Sequence, residues 1–295
     1  MRSMLFVPGD SERKFTKAMG VGADALILDL EDSVTAEQKP AAREITAGLL
    51  RAAHGAAARP KLFVRINSLD TEQLSADLAA VMPERPDGIV LPKPRSGADV
   101  HQLAVALDHS EQAAGTPLGT TRILPIATEI AISMLQMHTY VGASKRMDVF
   151  SWGAEDLSSH VGAATNRDEA GRLTSVYRLA RDLCLLTAVS AGAQPMDTVF
   201  VNFRDETGLI AEAREAARDG FTGKMAIHPA QVAPINAAFT PTAEEIHQAQ
   251  RIVKVFADNP DAGVGSLDGE MLDRPHLVRA ERLLARAEAA GALEG

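Results

Sequence analysis

The chain has 295 residues, 46% of them apolar and 23% charged, the composition of a globular protein long enough to bury its own core. Only 4% are aromatic, so the interior has to rest on Ala, Leu, Val and Ile, and a net charge of −9 argues against a nucleic-acid surface, which needs clustered Lys and Arg. A single cysteine, Cys184, excludes an intrachain disulfide, and no apolar run reaches the roughly 20 residues that span a bilayer, so a cytoplasmic protein without membrane or nucleic-acid partners is expected.

In chain order, strands are predicted at residues 3–7, 25–30, 61–66, 88–92, 122–127, 149–152, 198–202 and 224–227. Most are continuous apolar runs, which suit strands covered on both faces. Amphipathic stretches lie between them. Leu74, Leu78 and Val81 fall on one helical face, as do Val100, Leu103 and Leu107, and so do Val176, Leu179, Leu183 and Leu186. Cys184 lies within that last pattern and is expected to be a packed thiol. Eight strands with intervening helices predict a (β/α)8 barrel over residues 1–258, with a doubly wound open sheet as the alternative. After the eighth strand comes a helix at 243–257 carrying Ile246, Ala249, Val253 and Phe256. A loop at 259–269 rich in Gly, Pro and Asp follows, and then a last helix bearing Leu277, Ala280, Leu284 and Ala287. Residues 259–295 therefore read as a C-terminal arm, either a lid or a subunit-exchanged element.

A barrel keeps its chemistry at the C-terminal ends of its strands. Those ends carry Asp29, Glu31 and Asp32, then Arg65 and Asn67, Lys93, Glu129, Glu155 and Asp156, and finally His228. Converging carboxylates repel unless a cation lies among them, and Mg²⁺ takes one or two carboxylates together with water and substrate oxygens. Glu129 and Asp156 end neighbouring strands and can share one ion, although Asp156 also suits a helix cap and Glu155 a solvated loop. Arg65 offers a fork for a substrate carboxylate, and an internal bridge to Asp29 or Glu31 is compatible with that role. Lys93, between two prolines, is either a Schiff-base lysine or a structural partner of Glu31 or Asp32. Arg13, Lys14 and Lys17 form a basic helix face that either receives phosphates or is simply solvated. There is no P-loop, dinucleotide fingerprint or zinc-ligand spacing.

Taken together, RSMLFVPG at 2–9, GADALILDLEDS at 22–33 with Lys39 and Arg43, VRIN at 64–67, IVLPK at 89–93, ATEI at 127–130, GAEDL at 153–157, KMAIHP at 224–229 and GEMLD at 269–273 resemble the citrate lyase β-subunit-like branch of the HpcH/HpaI aldolase superfamily. The resemblance runs in order along essentially the whole chain and departs at Asp10, where Asn is common. It implies a Mg²⁺-dependent barrel, trimeric or a dimer of trimers. It implies Glu129 and Asp156 as metal ligands, Arg65 as the carboxylate clamp, Phe6, Arg13 and Lys17 on the CoA portion, and the backbone at Ala226 and Ile227 beside the thioester. Asp273, on the arm, is implied as the acid/base over a neighbouring subunit's site. The implied reaction is carbon–carbon cleavage of a 3-hydroxy-acyl-CoA thioester: (S)-citramalyl-CoA to pyruvate and acetyl-CoA, or malyl-CoA to glyoxylate and acetyl-CoA. The alternatives are a citrate lyase β subunit and a CoA-independent 2-oxo-acid aldolase.

Overall fold

The computed structural model describes residues 1–56, 58–259 and 263–293, which divide into two compact units, Met1–Asn236 and Ala237–Gly295. The described residues of the first unit hold eight parallel strands: β1 (Ser3–Pro8), β2 (Ala25–Asp29), β3 (Lys61–Arg65), β4 (Gly88–Leu91), β5 (Arg122–Pro125), β6 (Val149–Ser151), β7 (Gln194–Asp197) and β8 (Gly223–Ala226). They pair in the order β5-β4-β3-β2-β1-β8-β7-β6. The two ends meet through parallel bridges between Ile123 and Met147 and between Ile126 and Ser151, so the sheet closes into a (β/α)8 barrel. Between the strands run α1 (Glu12–Ala18), α2 (Lys39–Ala53), α3 (Leu74–Val81), α4 (Gly97–Ala113), α5 (Ala131–Leu135), α6 (Ala154–Val161), α7 (Ser175–Ser190) and α8 (Glu206–Asp219), and α9 (Val232–Phe239) follows β8. No helix among the described residues is long and apolar enough to cross a membrane.

Strand periodicity builds the barrel interior. Met4, Ala25, Ile27, Phe63, Val90, Leu124, Ile126, Val149, Met196 and Met225 form one buried cluster. Residues two apart on a strand point the same way, so the row that fills the barrel continues at its upper end into Phe6, Asp29, Arg65 and Ile227. Gly88 leaves room for this filling, because a Cβ there would sit 2.3 Å from the Phe63 ring. The helices seal the outside: Val100, Leu103 and Leu107 of α4 are fully buried, each stabilising the fold by about 1.5–3 kcal/mol.

Two expectations are corrected, one strand of the barrel and one loop of the C-terminal unit. The seventh strand is Gln194–Asp197, not residues 198–202. The segment carries a proline and an aspartate rather than a continuous apolar run, yet β7 pairs with β6 and β8 through it. The apolar run that follows leaves the sheet, with Val201 49% exposed. In α7 the large apolar stripe faces outward, Val176, Leu179 and Leu186 all being exposed, while Tyr177, Ala180, Arg181, Cys184, Thr187 and Ala188 face the strands. Among these, Ala180, Cys184, Thr187 and Ala188 are small enough to let the helix lie against β6 and β7. Cys184 is fully buried there, its thiol pushed well up by that burial.

The second unit contains α10 (Ala243–Ala257), β9 (Val264–Leu267), β10 (Glu270–Asp273) and α11 (Arg274–Ala289). Thr242 and Glu245 close a capping box at the start of α10, and Ile246, Ala249 and Phe256 of α10 are buried, as are Ala280 and Ala287 of α11. The segment expected to be a loop is partly an antiparallel hairpin, β9 pairing with β10. Its two-residue turn, Asp268-Gly269, has positive φ at both positions (50° and 85°), the geometry for which an Asp-Gly pair is favoured. Residues 260–262 of the expected loop lie outside the described residues.

Candidate active site at the barrel mouth

A cleft of about 420 Å³ opens at the C-terminal ends of the strands, lined among others by Phe6, Asp29, Arg65, Glu129, Asp156 and Ile227. Arg65 is locked from below. Its Nε and Nη2 each donate to an oxygen of Asp29 at 2.7 Å, and its Nη1 lies 2.9 Å from Glu31 Oε2. The ring of Phe6 packs against the guanidinium, 4.9 Å away. Burial opposes the charge on Arg65, but the hydrogen bonds and charges of Asp29, with Glu31 and Glu129, outweigh it and raise its pKa. Burial also works against the Asp29 carboxylate, and the Arg65 contacts overcome it, so Asp29 lies below the usual carboxylate range. The internal bridge foreseen as one role of Arg65 is therefore present. A guanidinium has five N–H donors, and three of them face these acids, which leaves two for a ligand in the cleft.

Glu129 is 2% exposed and follows β5. Gly153, just after β6, makes room for it, since a Cβ there would sit 2.6 Å from Glu129 Cγ. Asp156 stands in the first turn of α6, beside Glu155. Burial, then the charges of Asp156 and Glu31, push the Glu129 carboxyl well above its ordinary value, against the pull of Arg65 and Lys93. Lys93 ties the group together. Its backbone, at a left-handed φ of 49°, donates to Glu129 Oε2 at 2.5 Å. Its ammonium lies 2.5 Å from Glu31, 3.2 Å from Asp32 and 3.3 Å from Asp156. Burial works to lower the Lys93 pKa, but these acids raise it above the ordinary lysine value. A lysine held charged cannot add to a carbonyl, which counts against the Schiff-base role.

Asp29, Glu31, Asp32, Glu129 and Asp156 thus share two cations, Arg65 and Lys93. Glu31 Oε2 is buried without a well-aligned hydrogen bond, and burial raises the Glu31 pKa. No group of three or more His, Cys, Asp or Glu is arranged as a metal site among the described residues. Two carboxylates facing a cleft suit a hard cation that keeps water or substrate oxygens in its remaining positions, so the donor set fits Mg²⁺.

The other expected site residues divide. Ile227 lines the cleft, its N–H donated to Gln231 Oε1 at 2.9 Å. Ala226 is fully buried in β8, opposite Leu5. Arg13 and Lys17 are exposed on α1 and do not line the cleft. Asp273 belongs to the second unit, where it caps α11 and meets His276. Two features were missed from the sequence. The first is the space Gly153 makes for Glu129, whose only signal is a glycine directly before the Glu155-Asp156 pair. The second is the partner of Asp273, which the three-residue spacing to His276 announces as a reciprocal cap.

Comparison with known proteins finds relatives along the whole chain. The HpcH/HpaI aldolase/citrate lyase family matches residues 2–229. A citrate lyase subunit beta of Leuconostoc mesenteroides is 34% identical over 290 residues, covering 98% of this chain and 93% of the relative. A (3S)-malyl-CoA thioesterase of Cereibacter sphaeroides is 36% identical over 296 residues, covering 99% and 96%. Among solved structures, the protein CitE of Mycobacterium tuberculosis in complex with magnesium, acetoacetate and coenzyme A is 32% identical. It superposes with a TM-score of 0.78 over 97% of this chain and 98% of that one.

Proposed function

The chain belongs to the HpcH/HpaI aldolase/citrate lyase family, and on that premise we propose that it is a Mg²⁺-dependent lyase that breaks a carbon–carbon bond in a 3-hydroxy-acyl-CoA thioester. The substrate we assign is (S)-citramalyl-CoA or malyl-CoA, giving acetyl-CoA with pyruvate or glyoxylate. The observation that carries this reading is the surplus of carboxylates around Glu129 and Asp156, beside an Arg65 that still has donors to offer.

Glu129 and Asp156 hold the ion, which when bound supplies a Lewis acid and a template for the hydroxy-acid oxygens. Arg65 uses its two remaining N–H groups to bind the substrate carboxylate, in an orientation fixed by Asp29. Lys93 stays charged and keeps Glu31 and Asp32 from repelling the incoming anion. As the C–C bond breaks, the hydroxyl-bearing carbon becomes a carbonyl (a ketone in pyruvate, an aldehyde in glyoxylate), its O–H proton passes to water in the cleft, and the bonding pair passes to a thioester enolate. Asp273 delivers a proton to that enolate carbon, giving acetyl-CoA. Arg13 and Lys17 on α1 meet the phosphates of CoA, and Ile227 flanks the thioester. We further assign the working form as a trimer or a dimer of trimers, with Asp273 serving a neighbouring subunit.

The relatives named malyl-CoA thioesterase favour a second reading, in which water cleaves the thioester instead. One assay separates the possibilities: purified protein with (S)-citramalyl-CoA, malyl-CoA or citryl-CoA, with Mg²⁺ or EDTA, and all products identified. A lyase yields acetyl-CoA and an oxo acid, a thioesterase yields free CoA and the intact hydroxy acid, and a citrate lyase subunit prefers the citryl ester. No cleavage of any CoA ester, or unimpaired turnover in EDTA, overturns the reading.

A further inference from the structure

We propose that His276 is the positioning and proton-supplying partner of Asp273, so that the acid on the C-terminal unit works as a dyad. The inference rests on the reading that Asp273 is the acid/base. Asp273 ends β10 and caps α11, and His276 is the third residue of that helix. The imidazole Nδ1 lies 2.5 Å from Asp273 Oδ1 and 3.2 Å from the Asp273 backbone nitrogen. Nδ1 cannot serve both contacts with one placement of its proton. With a lone pair, Nδ1 accepts the backbone N–H; with a proton, it donates to the carboxylate. The fold therefore gives the ring two settings, which differ in whether Nδ1 presents a proton to Asp273.

The surroundings suit such an exchange. The side chains of Asp273 and His276 are 41% and 33% exposed, so protons can enter from water. His276 lines a groove of about 620 Å³ between α10 and α11. The titratable and charged groups lining the groove with it are Glu244, Glu245, His247 and Arg251 on α10 and Arg279 on α11, and Asp273 lies against the ring itself. The step balances. Asp273 gives its proton to the enolate carbon, an O–H bond breaking as a C–H bond forms. The Nδ1–H bond of the imidazolium then breaks as an O–H bond forms on Asp273 Oδ1. The neutral ring recovers a proton from water in the groove. In the condensing direction each transfer reverses.

The plain structural role of this pair is a capping box, in which Glu or Gln is the usual third residue. That provides the test, because His276→Gln keeps the cap and removes the proton. Wild type, His276→Gln and Asp273→Asn are compared in cleavage of malyl-CoA and (S)-citramalyl-CoA across pH. The expected result is that Asp273→Asn loses turnover. His276→Gln should keep its KM and thermal midpoint, fall about tenfold or more in kcat, and lose one limb of its kcat–pH profile. If Asp273→Asn is inactive while His276→Gln has the wild-type rate and profile, the dyad is overturned and the role of Asp273 stands. If Asp273→Asn is fully active, the acid/base reading falls and the dyad with it. His276→Ala with added free imidazole covers the case of a loosened helix end: saturable recovery supports the proton role, and no recovery overturns it.

Discussion

On the outer side of the last two strands, Lys224 is fully buried, with Asp197 at 2.7 Å and Glu212 at 2.8 Å. Arg181 reaches Asp219 at 2.8 Å, Arg167 pairs with Glu212, and Trp152 donates to Asp197. Here three cations meet three anions. Burial opposes both charges, yet the pairing wins: Asp197 is held below and Lys224 above its ordinary value. The barrel mouth uses the same residue types in a different proportion, five carboxylates to two cations, and there Glu129 and Glu31 are pushed up instead. Buried charge that balances itself holds the wall together. Buried charge left unbalanced in an open cleft awaits something from outside.

The sharpest way to break this contrast is to remove one member from each cluster. Glu129→Ala should lower kcat by about 10³-fold, the scale seen when a preorganised electrostatic group is lost, without lowering thermal stability in metal-free protein. Relief of carboxylate crowding should, if anything, raise it. Lys224→Met should do the opposite. It strands Asp197 and Glu212 in the wall and should cost about 3–5 kcal/mol of unfolding free energy, read from denaturant titration, while the folded fraction keeps its kcat. If Glu129→Ala unfolds the protein, or Lys224→Met leaves its stability intact, the two clusters do not differ as described. A smaller change sharpens the mouth side alone. Gly153→Ala drives a methyl group into Glu129 Cγ. It should weaken Mg²⁺ binding about 10–100-fold, measured by calorimetry, as disturbances of a ligand's supporting shell do.

The same contrast explains what could be read from the sequence. Seven of the eight strands were legible because apolar runs doubly covered by barrel and helices leave an unmistakable pattern. The mouth was legible because strand ends project functional side chains, so Asp29, Arg65, Lys93, Glu129 and Asp156 could be named from position alone. The wall was not. Asp197 carries a charge that the wall tolerates only through its pairing with Lys224, and the apolar run that follows it drew the predicted seventh strand to 198–202. In α7 the periodicity of Val176, Leu179 and Leu186 was real, but periodicity marks a face without saying which way it turns. The hairpin of the C-terminal unit was signalled by Asp268-Gly269 and was overlooked because the flanking strands are short and largely exposed.

The smallest expected effect is also the one that tests the contrast without mutation, through pH. Glu129 and Glu31 bind protons more tightly in the fold than at the ordinary value of 4.5. Through the window from 4.5 up to their raised values the folded state carries more protons than the unfolded chain, so stability falls as pH rises. Asp29 and Asp197 lie below the ordinary 3.8, so their contribution is complete above that value and is lost as pH falls toward their depressed ones. Metal-free protein should therefore be most stable on the acid side of neutrality, and about 1 kcal/mol less stable near pH 8 than near pH 5, by urea midpoints in EDTA. Glu129→Gln should flatten that decline while leaving the acid limb in place. Mg²⁺ should flatten it too, because a cation bound to Glu129 and Asp156 replaces the missing positive charge and competes with protons for the same oxygens. A metal-free protein whose stability does not fall between those two pH values would mean that the mouth carboxylates are already satisfied, and the case for a cation between Glu129 and Asp156 would lose its electrostatic basis.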